Sequence, residues 1–446
     1  MLSLDLVTQY GPLPTWWISS IVVFLILTPV ILLIQNYLRL AHIPGPFWAQ
    51  LTEFWLMRKI WKGESWADIE LKLHQKYGDV VRWGPRNVLF SDPAVIPIIY
   101  GTHNAFSKVN SYDPATKIVN GKILESFTMT GDERRVHAIK RHINSAFTPS
   151  TMSQYESHVD ESIRMVNTRI SEHTPQINLV RWMELFAFDT MVRIAFSDGN
   201  FTENSVHDTI EGVKQRFEHW VQCYMRANHK DPEAFDRGTV VGMVISTIHA
   251  GAETVASTLL DTFRSLLENP TCMATLKKEL EGAGLESPPT LPSVAKLPYL
   301  EAALKESMRL NSVNVAPMER EVPAGGAHIG GVNIPGGTAV SINTRGMAGR
   351  EDVWGPEPNQ FRPERWLEAD ATERSKMERA FPGFGYGKRM CIGQHIAWIE
   401  MKKNAPGAAA QLRYEVLEDE PLEYYSTIVQ VPKEMWVEMT PRKRAP

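Results

Sequence analysis

Cysteine is scarce in this 446-residue sequence. The three present, Cys223, Cys272 and Cys391, are odd in number, and no two stand in a C-x-x-C spacing. That argues against a disulfide-built scaffold and against a structural zinc site, which needs clustered ligands; a reducing compartment fits best. A charge of one sign is lacking as well. The 47 Lys and Arg oppose 51 Asp and Glu for a net −4, so no nucleic-acid partner is expected. Internal repeats and low-complexity tracts do not stand out, and there is no Walker phosphate loop. Gly383–Lys388 has glycines and a lysine, but no Ser or Thr follows Lys388 and no β-rich run leads in.

Charge is also missing over one long stretch, because no charged residue stands between Asp5 and Arg39. Its apolar heart, Trp16–Ile34, is nineteen residues long. As a helix it would span about 28 Å, close to the thickness of a bilayer's hydrocarbon. Trp16, Trp17 and Tyr37 stand where interfacial aromatics belong. A cleaved signal peptide is the competing reading; it has a shorter apolar core, a basic start and small residues at its cleavage site. The expectation is a membrane anchor over 1–38 with its helix at about 16–34, a proline-rich linker over 39–46, and one body over 47–446. Arg39 and His42 follow the span and Asp5 precedes it, so the positive-inside rule places that body in the cytoplasm.

With 43% hydrophobic residues the body can bury a deep core. Tyr77–Pro93 carries two β-rich runs around Gly84-Pro85 and reads as a hairpin. Helical patterning dominates from about Asp132 to Leu310, and a second β-rich region follows over Ala327–Asn343, its glycine pairs marking turns. The expected fold class is mainly α (α+β): helix-rich, with small β-sheets and one N-terminal transmembrane helix. The sequon at Asn200 would go unused in a cytoplasmic body.

Three constellations carry chemistry. The first is FGYGKRMCIG, Phe384 to Gly393, which sets Cys391 behind glycines and two cations, Lys388 and Arg389. Nearby positive charge favours the thiolate, the form that binds metals. A buried free thiol and a nucleophile are the alternatives, though no motif identifies a histidine base. The second is AGAET, Ala250 to Thr254, inside a long apolar segment that Asp236 can cap and Pro270 ends. Gly251 costs about 1 kcal/mol in a helix interior, Glu253 places an acid in a buried stretch, and Thr254 can bond back to the Ala250 carbonyl. A glycine for close helix packing beside an edge-exposed glutamate is the plainer alternative. The third pairs Glu306 with Arg309 on one helix face, with Arg365 in the proline- and aromatic-rich loop FRPERW. Alone, such a pair is usually solvated surface.

Together these resemble the haem-thiolate monooxygenases, the cytochrome P-450 superfamily. Phe384, Gly387, Arg389, Cys391 and Gly393 fill the family's F-x-x-G-x-R-x-C-x-G loop; Ala250, Gly251, Glu253 and Thr254 its [AG]-G-x-[DE]-T; Glu306 and Arg309 its E-x-x-R, with Arg365 the arginine of P-E-R. The resemblance implies haem b held by an axial Cys391 thiolate. Phe384, Gly387, Gly393, Ala250 and Gly251 would lie against it, and Glu253 and Thr254 would relay protons during oxygen activation. It further implies propionate contacts from Arg389, Arg320, and the pair His137 and Arg141, which fit a W-x-x-x-R pattern with His for Trp. Glu306, Arg309 and Arg365 would form a buried structural network. The implied reaction is insertion of one atom of O2 into an apolar small molecule, with electrons from NADPH through a flavoprotein reductase. The reductase would dock on Lys388, Arg389, Arg134, Arg135 and Lys140. The anchor and IPGP resemble the form bound to the endoplasmic-reticulum membrane, single-pass with a cytoplasmic catalytic domain. NQFRPERWL looks most like fungal members, many of which serve secondary metabolism.

One interval departs from the family. Phe196 to Ala250 is about 54 positions, where the family carries two helices and a loop that roof the substrate pocket. Two rival readings follow: a membrane-anchored haem-binding protein without turnover, and a haem-thiolate isomerase or dehydratase that needs no O2. Val313, Val315 and Ala316 are candidate pocket-lining residues.

Overall fold

The computed structural model describes residues 15–102, 106–109, 117–119, 121–124, 126–128, 130–172, 176–196, 220–233, 235–416, 423–426 and 428–441. Asn200 and most of the short interval lie outside them. Helices come first: α1 (Thr15–Arg39), α2 (Phe47–Leu51), α3 (Phe54–Trp61), α4 (Trp66–Tyr77), α5 (Ile96–Tyr100), α6 (Glu133–Ile143), α7 (Glu156–Glu172), α8 (Leu179–Phe196) and α9 (Trp220–Lys230). The central α10 (Arg237–Glu268) is followed by α11 (Pro270–Ala283), α12 (Pro298–Leu310), α13 (Glu364–Glu368), α14 (Ala371–Ala380) and α15 (Gln394–Gln411).

Local chemistry explains the ends of α10. Asp236 caps it, its carboxylate accepting from the Thr239 N–H at 2.7 Å, which satisfies an orphan donor of the first turn. At the other end Pro270 begins α11 as its first residue, where a missing N–H costs nothing. Every residue from Val255 to Phe263 is buried, so this half of α10 is covered on all sides, as expected for an apolar helix at a domain centre. It is long and apolar enough to cross a membrane, yet it packs along α8 and against α12 and α15 and contributes to the main hydrophobic core.

The β portion is small. Strands β1 (Val80–Arg82) and β2 (Asn87–Phe90) form the expected hairpin. They join β3 (Ser107–Lys108), β5 (Arg320–Glu321) and β6 (Ala339–Ile342) in a sheet of order β1-β2-β6-β5-β3, with β6 parallel to β2; β4 (Gln176–Asn178) pairs instead with the C-terminal strands. The second β-rich region divides into the hairpin Ala327–Ile329/Val332–Ile334 and β6. Strands β7 (Leu412–Val416), β8 (Tyr424–Ser426), β9 (Gln430–Pro432) and β10 (Trp436–Pro441) follow. β7, β10 and β4 make one sheet, β8 and β9 a hairpin. Just before β9, the Ile428 carbonyl accepts from the N–H groups of Val315 and Ala316, fixing the segment that holds the candidate pocket residues.

The β8–β9 hairpin is tied to α10 by a buried contact: Tyr424 donates its hydroxyl to Asp261 at 2.8 Å. Burial pushes the Asp261 carboxyl up to about 7, against the opposing pull of Tyr424 and Arg345. A carboxyl raised above its ordinary 3.8 contributes stability that is complete below that value and is lost as pH rises through about 7. Asp261→Asn removes the titration and keeps an acceptor for Tyr424. Denaturant unfolding at pH 5 and pH 8 is therefore expected to show the wild type losing about 2–3 kcal/mol more than the variant between the two. Parallel pH profiles would refute this account.

Candidate active site

Cys391 lies in the connection from α14 to α15. Turn bonds fold that connection back on itself: Gly385 N–H to Pro382 O at 3.0 Å, Met390 N–H to Gly387 O at 3.0 Å, and Cys391 N–H to Phe384 O at 2.9 Å. Gly385 and Gly387 have φ of 71° and 61°, a region that favours glycine. Gly387 has a second constraint, since a Cβ there would stand 1.6 Å from the Tyr100 carbonyl oxygen at the end of α5. The glycine thus lets the loop pass α5. Phe384 packs its ring on Trp398 of α15 with centroids 5.8 Å apart.

The sulfur is accessible but ringed closely by protein, as in a recess. Burial pushes its pKa up; the Gly393 N–H and then the Lys140 ammonium pull it down. This corrects the expectation that Lys388 and Arg389 act on the thiolate. Arg389 is spent elsewhere, donating to Glu133 at 3.0 and 2.9 Å and to the carbonyls of Phe127 and Thr130 at 2.6 and 2.9 Å. Lys388 is exposed, and its carbonyl accepts from Lys140 Nζ at 2.7 Å.

Helix α6 therefore meets the cysteine loop through Glu133 and Lys140, seven residues apart and on one face. Arg141 is one position beyond Lys140, turned about 100° away, whereas His137, four residues after Glu133, shares their side of the helix. His137 is exposed, and Arg141 pairs with Asp231 beyond α9 at 2.6 Å. Of the two adjacent cations, Lys140 and not Arg141 faces the loop. Lys140→Ala is expected to loosen the loop and raise the Cys391 pKa further. Thiol alkylation rates against pH would show this, while Arg141→Ala leaves the profile unchanged; equal effects would reverse the assignment.

A second group of cations gathers beside Arg389. Arg320 lies over the Tyr100 ring, 5.0 Å from its centroid, and lines a small recess with Arg389, Glu133 and Tyr386. Lys108, from β3, donates to the Thr128 carbonyl at 2.6 Å. Burial, then the charges of Arg320 and Arg389, push its pKa down to about 7. Among the described residues Glu133 alone opposes these charges at Lys108, and it is paired with Arg389, so the cations outnumber the acid.

The AGAET stretch sits in α10, and Thr254 does bond back to the Ala250 carbonyl, at 2.7 Å. Two details agree with the plainer alternative of a packing glycine and an edge-exposed glutamate. A Cβ on Gly251 would meet the Met191 sulfur of α8 at 2.1 Å, so its bare side serves the α8–α10 packing. Glu253 is half-exposed and faces His249 at 3.4 Å, not buried in the helix interior. Ala250 is exposed beside them.

Glu306 is the centre of a closed network. Arg309 grips it with both arms of its fork, Nε to Oε2 at 2.9 Å and Nη2 to Oε1 at 2.8 Å. Arg365 Nε donates to Oε1 at 2.8 Å, the Trp366 indole to Oε2 at 2.9 Å, and the Arg362 N–H to Oε1 at 3.0 Å. The guanidiniums continue outward to the carbonyls of Ala348, Trp354, Glu357 and Gln360. Glu306, Arg309 and Arg365 are 0%, 1% and 4% exposed. The residues flanking this carboxylate bind it from α12 and α13 at once.

The cytochrome P450 family model matches residues 44–224 and 200–406. The chain belongs to the cytochrome P450 family. A cytochrome P450 monooxygenase of Aspergillus terreus is 30% identical over 91% of this chain and 96% of its own length. A second from Emericella nidulans is 31% identical over 85% and 88%, and the pisatin demethylase of Fusarium vanettenii is 28% identical over 84% of each. The protein is accordingly a P450 monooxygenase. The match with the Aspergillus terreus enzyme runs over 481 positions, more than the 446 residues of this chain, so that relative carries segments without a counterpart here. The family match also comes in two pieces that meet at 200–224, inside the short interval.

A P450 holds haem, and the residues around Cys391 fit it. A recessed sulfur receives one backbone N–H, and a cluster whose cations outnumber its acid would accept the two carboxylates. Lys108 and Glu133 escaped the sequence reading. A two-residue strand and an ordinary helix N-terminal acid have no pattern of their own; only the β3–β5 pairing and the Arg389 bond reveal them. The expected docking face shrinks as well. Arg389 is taken by Glu133, Lys140 by the loop, and Arg135 reaches Thr239 at 3.3 Å, leaving Arg134 and Lys388 exposed.

Proposed function

We propose that this P450 inserts one atom of O2 into an apolar small molecule in fungal secondary metabolism, with electrons from NADPH through a flavoprotein reductase, while α1 holds it on the endoplasmic-reticulum membrane, its catalytic domain in the cytoplasm. One observation carries the reading: an exposed thiol, on a loop folded by its own glycines, beside a cluster of three cations, Arg389, Arg320 and Lys108, whose one acid among the described neighbours is Glu133. Cys391 would ligate the haem iron, and Arg320 and Lys108 would take the carboxylates, while Arg389 and Lys140 hold the loop beside them. Haem bound there supplies dioxygen binding and reduction, with the thiolate favouring O–O cleavage. Thr254 and the half-exposed Glu253, adjacent on α10, pass protons inward from solvent. The Glu306 network keeps α12 and the α13 loop in register behind the site. The domain division, an anchor over 1–38 and a catalytic domain from 47, is supported by the family match beginning at residue 44.

The short Phe196–Ala250 interval favours one other reading, haem binding without turnover. The deciding measurement is the carbon monoxide difference spectrum of the dithionite-reduced protein beside Cys391→Ala. A strongly red-shifted Soret band, lost in the variant, is expected. No such band in folded protein would sink the proposal. NADPH consumption with added reductase then separates a monooxygenase from an inert haem protein or an isomerase.

A further inference from the structure

The β8–β9 hairpin is attached to the rest of the protein at two places. Tyr424, the first residue of β8, donates its hydroxyl to Asp261 of α10 at 2.8 Å, and β9 packs along that helix. The far end of the hairpin meets the chain that leaves α12. There the Ile428 carbonyl accepts from the Val315 and Ala316 N–H groups at 3.2 Å, the Gln430 N–H donates to Val313 O at 2.8 Å, and Asn314 bridges to Val429. Two strands of three residues are marginal by themselves, so these outside bonds set where the hairpin sits.

Asp261 is badly placed for a charge. It is 3% exposed, in the half of α10 that is covered on all sides, and a carboxylate buried there loses its hydration. Among the described residues two groups oppose that cost: the Tyr424 hydroxyl first, then the charge of Arg345 on the short helix Thr344–Ala348. Arg264 of α10 bears on Tyr424 and is paired with Glu268. Burial, then Asp261, pushes the Tyr424 hydroxyl up, so the phenol stays a donor. Of these groups only the Asp261 carboxyl changes charge near neutrality.

We propose that Asp261 and Tyr424 are positioning residues: through the β8–β9 hairpin they hold the Val313–Ala316 segment in place, and the hold loosens as pH rises. The proposal rests on the monooxygenase reading, in which that segment lines the substrate pocket. A neutral Asp261 is tolerated in the seam, whereas an ionised one is relieved when the hairpin lifts and water enters. Opening is therefore favoured about tenfold for each pH unit from the carboxyl's ordinary 3.8 up to about 7, and levels off above. From pH 5 to pH 8 the open fraction grows on the order of 100-fold.

Amide hydrogen exchange of the full-length protein tests this without turnover, with protection taken relative to the unstructured rate at each pH. Protection at the Gln430, Val315 and Ala316 amides is expected to fall on the order of 100-fold between pH 5 and pH 8. It should be insensitive to sub-denaturing urea, as a local opening is. Asp261→Asn is expected to keep protection within a few-fold across that range. Tyr424→Phe, which keeps the ring, should lower it at both pH values while the amides of α7 stay unchanged. The proposal is overturned if protection falls at Gln430 alone, if Asp261→Asn follows the wild type, or if exchange rises with urea as global unfolding does. With these exchange results intact, a missing carbon monoxide band would remove the monooxygenase reading and leave the tether standing.

Discussion

Glu306→Ala is expected to abolish the folded, haem-loaded protein. The substitution strands two guanidiniums, Arg309 and Arg365, that are 1% and 4% exposed. It also strips partners from the Trp366 indole and the Arg362 N–H. Breaking a buried pair from one side costs about 3–5 kcal/mol, and here one carboxylate serves two cations. Against a total stability of about 5–15 kcal/mol, little remains. Soluble yield, haem content and denaturant unfolding measure the effect. Lys305→Ala, next door, is the comparison. Lys305 pairs with Glu378 at 2.7 Å and Glu301 at 3.3 Å nearer the surface, a pairing worth about 1 kcal/mol or less. If Glu306→Ala loads haem as well as Lys305→Ala does, the network is not what holds the fold.

Gly387→Ala is the second large effect. The position has φ 61° and a Cβ would lie 1.6 Å from a backbone oxygen, Tyr100 O. A backbone atom at the end of α5 cannot swing aside as a side-chain tip can, because Tyr100 is itself pinned, its hydroxyl donating to Met318 O at 2.9 Å. The loop must lift off α5, at the roughly 1–3 kcal/mol of a strained backbone plus the clash. Gly393→Ala differs: its Cβ would have nothing nearer than 3.9 Å, the Cys391 sulfur and Ile396. Urea unfolding of the haem-free proteins is expected to place Gly393→Ala within about 1 kcal/mol of wild type. Gly387→Ala should fall well below it and lose the red-shifted carbon monoxide band. Equal stability of the two variants would contradict the close approach.

The family was legible in the sequence because its marks are local. The spacing in FGYGKRMCIG, the i,i+3 pair Glu306 and Arg309, and the Asp236 cap each need only a few neighbouring residues to be read. The register of α6 was not. Lys140 and Arg141 are adjacent cations, and which one meets the cysteine loop depends on how α6 is rotated, set by the burial of Val136, Ile139 and Ile143. Gly251 carried the same ambiguity between packing and function, and only the position of Met191 on α8 resolves it toward packing.

By itself, the sequence determined the helix-rich class, the cysteine that faces the haem site and the residues of the buried network, since covalent spacing places these on defined turns and helix faces. Tertiary structure alone decided which cations gather beside Arg389 and that Glu253 is half-exposed. Those outcomes depend on which surfaces meet across long sequence separations, and a side chain's charge state and exposure follow from its neighbours in space.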